Sequence, residues 1–112
     1  MAKISTHVLD TALGKPAAGI VIHLHRISEG RQQLRSAITN QDGRTDEPLL
    51  LDASPGIYEL IFQAGDYLRA QSYALTEPPF LDEIVVRFGI ATGNYHVPLL
   101  LSPYGYSTYR GS

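Results

Sequence analysis

Short segments in which apolar and polar residues alternate, separated by turn signals, occupy most of the chain. Such alternation predicts β-strands, because successive side chains of a strand point to opposite faces. In the segment at 19–27, Ile20, Ile22 and Leu24 share one face, whereas His23 and His25 share the other. Strands are predicted in this way at residues 4–9, 19–27, 33–39, 57–63, 83–90, 95–101 and 104–109.

Turn and helix signals complete this pattern. The sequence Asn-Gln-Asp-Gly at 40–43 predicts a turn, and residues 67–71 predict a single short helix with Asp66 as its N-cap. Seven or eight short strands at fairly even spacing, together with one helix, indicate an antiparallel β-sandwich or barrel. We therefore expect a single domain over residues 1–112.

Composition narrows the possible functions. The 112 residues are 44% apolar and 18% charged, which is ordinary for a globular domain. Cysteine is absent, which excludes disulfides, thiolate catalysis and iron–sulfur clusters. The net charge of -2 gives no general attraction to nucleic acid or to anionic membranes. No apolar run approaches the roughly 18 residues of a membrane helix, and no signal-peptide core follows Lys3, so we expect a soluble, cytoplasmic protein.

Two histidines are the main candidates for chemistry. In the strand at 95–101 the apolar positions 97, 99 and 101 suit the core, so His96 and Leu100 point outward. The same alternation turns His7 outward from the first strand. If these strands are neighbours, the two imidazoles share one outer face, where they could exchange protons with a water molecule near neutral pH. Each could equally be a structural histidine on a solvated surface.

Two further features bear on the site. Arg44 follows the predicted turn directly, and the chain closes on Tyr109, Arg110, Gly111 and Ser112. Together with the two histidines these residues would suit a small planar anion and a water that attacks an electrophilic carbon. The alternatives are a solvated loop arginine and a frayed tail. His23 and His25 lack an obvious third ligand, so we interpret them as exposed strand residues rather than a metal site.

Both ends of the chain resemble the transthyretin-like family. The resemblance lies in residues 5–17, which begin Ser-Thr-His-Val-Leu-Asp, and in residues 96–112, which end Tyr-Arg-Gly-Ser. It extends to Asn-Gln-Asp-Gly-Arg at 40–44 and Gly-Asp-Tyr at 65–67. Within the family the closing tetrapeptide marks the branch that hydrolyses 5-hydroxyisourate in urate degradation, rather than the hormone carriers.

This resemblance implies a fold, an assembly and a set of site residues. The implied fold is a sandwich of two four-stranded antiparallel sheets with one short helix. The implied assembly is a homotetramer, a dimer of dimers, with active sites where dimers meet, and an outward Leu100 fits such a covered face. The resemblance implies neither a metal nor an organic cofactor. It implies catalytic roles for His7, Arg44, His96 and Ser112, and substrate binding by Tyr109, Arg110 and Gly111.

The implied reaction is the opening of a cyclic amide. Water would attack the C6 carbonyl of 5-hydroxyisourate and break its bond to N1, giving 2-oxo-4-hydroxy-4-carboxy-5-ureidoimidazoline. Either His7 or His96 would act as general base, and the sequence leaves this choice open. The main alternative is a transthyretin-type carrier that binds a small aromatic ligand in a central channel. A second alternative is a purely structural sandwich domain.

Overall fold

The computed structural model describes residues 2–111, which form two packed β-sheets and one short helix. The elements follow in the order β1 (Ala2–Asp10), β2 (Lys15–Pro16), β3 (Val21–Ser28), β4 (Gly30–Ile38), β5 (Leu50–Ala53), β6 (Gly56–Gln63), α1 (Ala64–Ala70), β7 (Glu83–Ile90), β8 (Tyr95–Ser102) and β9 (Gly105–Thr108). Within these residues, no helix is long and apolar enough to cross a membrane.

The first sheet has the strand order β2-β1-β8-β9, and β5 also pairs with β1. The second sheet has the order β4-β3-β6-β7 and is antiparallel throughout. The sandwich with one helix is therefore confirmed. In detail the first sheet has five strands rather than four, because the long strand β1 pairs with both β5 and β2.

One strand pair also departs from the expected antiparallel arrangement. Strands β1 and β8 run parallel, with Ile4 opposite Tyr95 and Asp10 opposite Leu101. No hairpin joins these strands, because about 80 residues lie between them. Their direction is therefore set by packing between distant segments rather than by a turn. This parallel pair matters for function, since it fixes which side chains of β1 and β8 meet.

The inner faces of the two sheets carry the alternating apolar residues that the sequence predicts for the core. Ile4 and Val8 of β1 face the other sheet together with Thr6, whose hydroxyl donates to the carbonyl of Val97 at 2.7 Å. That hydrogen bond satisfies a polar group that would otherwise be costly to bury. In the strand at 83–90 the alternating set is only partly enclosed, with Ile84 buried and Val86 and Phe88 half-buried. The alternating apolar residues of three other strands are buried: Ile20, Ile22, Leu24, Tyr58, Leu60, Phe62, Val97, Leu99 and Leu101.

Helix α1 begins earlier than the sequence predicts. It starts at Ala64, directly after β6, with Gln63 in the N-cap position and no side-chain cap. The prediction that Asp66 caps the helix is therefore wrong, because the chain passes from strand to helix without a loop. Asp66 instead lies in the first turn and pairs with Arg69 at 3.1 Å, three residues later.

The end of β1 is anchored to the helix and its following loop by a buried carboxylate. Asp10 accepts hydrogen bonds from the hydroxyls of Tyr67 at 2.7 Å and Tyr73 at 2.6 Å, and from the backbone N–H of Leu13 at 2.9 Å. Burial raises the pKa of Asp10, but the hydrogen bonds from Tyr73 and its neighbours outweigh burial and hold that pKa below its usual value. Strand β1, which carries His7, is thus held firmly at its far end.

Candidate active site

His7 and His96 lie on the same outer face of the first sheet. In the parallel register Ser5 is opposite His96 and His7 is opposite Pro98, so the two imidazoles are diagonal neighbours across the strand pair. Both residues are half-buried. The structure therefore brings together two histidines that are 89 positions apart in the sequence.

The ring of His7 is oriented by a backbone carbonyl. Its Nε2 donates to the carbonyl oxygen of Asp42 at 2.8 Å, and a carbonyl oxygen can only accept. Nε2 therefore carries the proton, and in the neutral ring Nδ1 keeps its lone pair. This arrangement leaves His7 with one defined basic nitrogen.

The turn at 40–44 is docked on β1 and positions Arg44. The backbone N–H of Val8 donates to the carbonyl of Gly43 at 2.8 Å, and His7 forms an isolated antiparallel bridge with Arg44. The side chain of Asn40 closes the turn by accepting from the N–H of Asp42 at 2.9 Å. Gly43 has a φ of +75°, and a Cβ there would overlap the carbonyl oxygen of Val8, so only glycine fits.

The tail of the protein is held against His96 rather than frayed. The N–H of Gly111 donates to the carbonyl of His96 at 2.7 Å, and a Cβ on Gly111 would lie 2.9 Å from Cδ2 of the His96 ring. The guanidinium of Arg110 lies over the ring of Tyr95, 4.1 Å from its centroid, and donates to the carbonyl of Asn94 at 3.1 Å. Ser112 lies outside the described residues.

A cleft of about 340 Å³ opens beside His96, and we call it the histidine cleft. It is lined by two of the predicted site residues, Arg44 and His96, whereas His7 does not line it and is joined to Arg44 by a backbone bridge. Sequence reasoning missed the other three lining residues. The signal for two of them was strand alternation, since Lys3 and Ser5 share the face of His7. The cleft is lined by Lys3, Ser5, Arg44, Asn94 and His96.

Tyr109 and Arg110 are not among the residues that line the histidine cleft. Both line a separate, mostly apolar cavity of about 280 Å³ where β7 and β8 approach each other, together with Val86, Phe88 and Tyr95. The side chain of Tyr109 is 58% exposed. The structure therefore does not bring Tyr109 into the cleft that holds His96.

The charged side chains that line the histidine cleft, Lys3 and Arg44, are both positive. Among residues 2–111, neither Lys3 nor Arg44 has a carboxylate within 4.0 Å, whereas four other arginines do. Burial lowers the pKa of His96, and the nearby charges of Arg44 and His7 lower it further. His96 is consequently neutral at pH 7. A neutral imidazole between cations can accept a proton from water while the cations attract an anion.

The other two histidines do not form a metal site. In the part of the chain that the structure describes, no three His, Asp or Glu side chains are grouped so that they could hold a metal ion. Nδ1 of His23 is 2.7 Å from Oγ of Ser36, and Nε2 of His25 is 3.4 Å from Oε1 of Gln33. Both histidines are half-buried on the outer face of the second sheet rather than fully exposed.

Comparison with known proteins identifies the class of protein. A family model described as the HIUase/Transthyretin family matches residues 4–111, and the chain belongs to that family. Among curated relatives, the 5-hydroxyisourate hydrolase of Mesorhizobium japonicum is 58% identical over 98% of this chain and 92% of its own length. The 5-hydroxyisourate hydrolase of Pseudomonas aeruginosa is 55% identical over 100% of this chain and 93% of its own length.

Solved structures agree with this assignment. The 5-hydroxyisourate hydrolase of Klebsiella pneumoniae has a TM-score of 0.86 at 30% identity and covers both chains completely (100%). An (S)-allantoin synthase has a TM-score of 0.94 at 43% identity over 99% of this chain, which spans only 44% of that longer protein. A sea bream transthyretin in complex with thyroxine has a TM-score of 0.88 at 23% identity over 97% of this chain and 94% of its own, which supports the fold alone.

Proposed function

We propose that this chain hydrolyses 5-hydroxyisourate in the histidine cleft. The observation that carries the proposal is the pairing of a neutral His96 with His7 beside two cations that have no carboxylate partner in residues 2–111. Relatives named for this activity, 55–58% identical over nearly the whole chain, support the choice of substrate. The lack of cysteine suits a reducing compartment, so we also propose that the enzyme works in the cytoplasm.

The proposed chemistry needs a base and a place for the developing negative charge. Either His7 or His96 takes a proton from water as the water oxygen bonds to C6 of the substrate. The bond from C6 to N1 then breaks, N1 receives the proton, and C6 becomes the carboxyl group of the product. A positioned general base of this kind typically contributes about 10²–10⁴-fold to the rate.

Arg44 is the proposed anion-binding residue. Its planar guanidinium can hold a planar anion with two parallel hydrogen bonds and can stabilise the oxyanion that forms at C6. Lys3, on the neighbouring edge of the cleft, adds a second positive charge. These groups are placed before the substrate arrives, so no reorganisation is needed during the reaction.

The tail is proposed to close the site. Gly111 packs on the His96 ring, and the stacking of Arg110 on Tyr95 holds the tail in place. We propose that Ser112 contacts the substrate in the cleft of its own subunit. Tyr109 is turned away from that cleft and well exposed, so we propose that it reaches substrate only across a subunit interface.

An interface over this face is consistent with its apolar residues. Leu9 and Leu100 are direct neighbours across the β1–β8 pair, on the same outer face as the two histidines, and both are half-buried. We propose a homotetramer, a dimer of dimers, in which this face is covered by another subunit. Sedimentation analysis tests this assembly, and a monomer that retains full activity would contradict it.

The activity is tested with a coupled assay. Urate and urate oxidase generate 5-hydroxyisourate, and its absorbance decays as it hydrolyses. The purified protein should accelerate that decay, and a protein that gives no acceleration contradicts the proposal. Deleting residues 109–112 should cripple turnover while the thermal unfolding transition remains. An unchanged rate in that variant would contradict the role given to the tail.

The carrier function remains the second candidate, and the lining of the cleft argues against it. A carrier of an apolar aromatic ligand needs an apolar pocket, whereas Lys3, Arg44 and His96 make this cleft polar and positive. A titration with a neutral aromatic ligand distinguishes the two functions. Tight binding without turnover of 5-hydroxyisourate would favour the carrier.

A further inference from the structure

Ser5 makes a direct contact with His96 that the proposed chemistry does not yet use. The two residues are opposite each other in the parallel β1–β8 register and project from the same outer face of the first sheet. Oγ of Ser5 lies 2.9 Å from Nδ1 of His96, which is hydrogen-bond distance. Both side chains also line the histidine cleft.

This contact distinguishes the two nitrogens of the imidazole ring. Nδ1 is occupied by the Ser5 hydroxyl, whereas the hydrogen bonds among residues 2–111 include none to Nε2 of His96. A flip of the ring by 180° would exchange Nδ1 with Cδ2 and so lose the hydrogen bond. Gly111 packs against the other edge of the ring, and a Cβ added to Gly111 would lie 2.9 Å from Cδ2 of His96. The tail therefore leaves the ring little room for other positions.

We propose that Ser5 is a positioning residue, which holds Nδ1 of His96 and thereby reserves Nε2 for proton exchange in the cleft. Its role in turnover rests on the proposed hydrolase function, whereas its role in ring orientation does not. Ser5 acts through His96 and does not itself touch the reacting atoms. For Nε2 to accept a proton, the single proton of the neutral ring lies on Nδ1, which then donates to Oγ of Ser5.

The chain contains a matched serine–histidine pair on the opposite side of the molecule. Oγ of Ser36 is 2.7 Å from Nδ1 of His23, so the same two atoms meet on the outer face of the second sheet. This second pair lies outside the histidine cleft. Ser36→Ala therefore removes the same type of hydrogen bond at a place where the proposal assigns it no role in turnover.

Kinetics of three variants test the proposal. Ser5→Ala should lower kcat about three- to tenfold, the equivalent of one neutral hydrogen bond, and should leave KM within twofold. Ser5→Thr should restore kcat, because it keeps the hydroxyl and suits a strand. Ser36→Ala should leave both constants unchanged. The proposal is overturned if Ser5→Ala keeps full kcat, if Ser5→Thr fails to restore it, or if Ser36→Ala loses as much.

Nitrogen-15 NMR of the His96 ring gives a readout that does not depend on turnover. The wild-type protein should show one predominant tautomer, whereas Ser5→Ala should show averaged shifts for the two ring nitrogens. An unchanged His96 spectrum in Ser5→Ala would overturn the proposal even if the rate fell. If the wild-type protein fails to accelerate decay of 5-hydroxyisourate, the proposed function fails, and the spectra still decide the role of Ser5.

Discussion

The outer faces of the two sheets carry similar residues but differ in whether a carboxylate pairs with their cations. Each face has two histidines, a serine bonded to one of them, and at least two cations. On the second sheet, Arg31 and Arg87 share the carboxylate of Glu59, with contacts of 3.1 and 2.8 Å. On the first sheet, Lys3 and Arg44 have no such partner in residues 2–111.

Glu59 shows how two arginines allow a carboxylate to be buried on an outer face. Its side chain is only 3% exposed, although it lies on an outer face, because the two arginines cover it. Burial raises the pKa of Glu59, but the hydrogen bond from Arg87 and the charges of Arg31 and Arg87 outweigh burial and hold that pKa below its usual value. The carboxylate of this face is therefore paired with both arginines, through a hydrogen bond from Arg87 and an ion-pair contact with Arg31.

The cations of the first sheet affect a histidine rather than a carboxylate. Lys3 and Arg44 line one cleft with His96, whose pKa is lowered by burial and further by the charges of Arg44 and His7. Such an arrangement is useful when a ligand supplies the missing negative charge. The same residue types can therefore form ion pairs on one face and be available to bind an anionic ligand on the other.

Exchanging the two histidines of the first sheet for asparagine should have the largest effect. His7→Asn and His96→Asn should both lower kcat, and the variant that removes the general base should lower it by about 10²–10⁴-fold, since an amide cannot accept a proton from water near pH 7. Initial rates of 5-hydroxyisourate decay measure the loss, and circular dichroism melts show whether the fold is retained.

His23→Asn is the control for these two variants. It removes an imidazole that is also bonded to a serine, but on the face where charges are compensated. Its kcat should stay within twofold of the wild type. An equal loss of activity in His23→Asn would show that the histidines act through folding or assembly rather than through the cleft.

A methyl group on the tail should have the next largest effect. In Gly111→Ala the new Cβ would lie 2.9 Å from Cδ2 and 3.3 Å from Cβ of His96, so the ring or the tail must move by a few tenths of an ångström. Small misplacements of catalytic groups are costly, and we expect kcat to fall by about tenfold or more. Gly105→Ala meets only Oγ of Ser102 at 3.8 Å and should keep full activity. Equal rates for the two variants would mean that the tail does not constrain His96.

Local sequence patterns predicted the interior of the sandwich because strand alternation is a local property. The residues at 20, 22 and 24 and those at 97, 99 and 101 are buried as their spacing requires. Strand β5 was missed because the run Leu49-Leu50-Leu51 does not alternate. The helix start was missed because nothing in the residues around Asp66 indicates that β6 continues directly into a helix.

The site was predictable only in part. Family resemblance and alternation pointed to His7, Arg44 and His96, which the fold does gather. The contact between Ser5 and His96 spans 91 positions and depends on the parallel register, which no local pattern encodes. The position of Tyr109 also depends on how the tail packs beside β7, and the sequence placed it with the other tail residues.

Removing the compensating carboxylate of the second face should affect stability rather than catalysis. Glu59→Gln should lower the free energy of unfolding by about 1–3 kcal/mol at pH 7, as both charge-assisted hydrogen bonds weaken. The cost stays moderate because Arg31 and Arg87 are 57% and 58% exposed and can be solvated. Urea denaturation measures the change, and kcat should be unaltered.

The stability that Glu59 contributes should decrease at acidic pH. The folded-state pKa of Glu59 is lowered, so its stabilising contribution is present above the unfolded pKa and is lost as pH falls through the folded pKa. The wild type should therefore lose stability on acidification more steeply than Glu59→Gln, although Asp10 contributes its own acid loss to both. Glu47→Gln, which breaks only the exposed pair with Arg35, is the matched control and should change stability by less than about 1 kcal/mol. Equal losses in the two variants would contradict the structural role of Glu59.

The smallest expected effect concerns the two lysines of the chain, Lys3 and Lys15, which differ in place but not in charge. Lys3 lines the histidine cleft, whereas Lys15 lies at the turn that begins β2. Lys3→Met should raise KM for the anionic substrate about two- to fivefold at low salt, with a smaller change at high salt, because the attraction is screened. Lys15→Met should leave KM unchanged at both salt concentrations. If both variants raise KM equally, net charge alone attracts the substrate, and the uncompensated cation beside His96 has no special role.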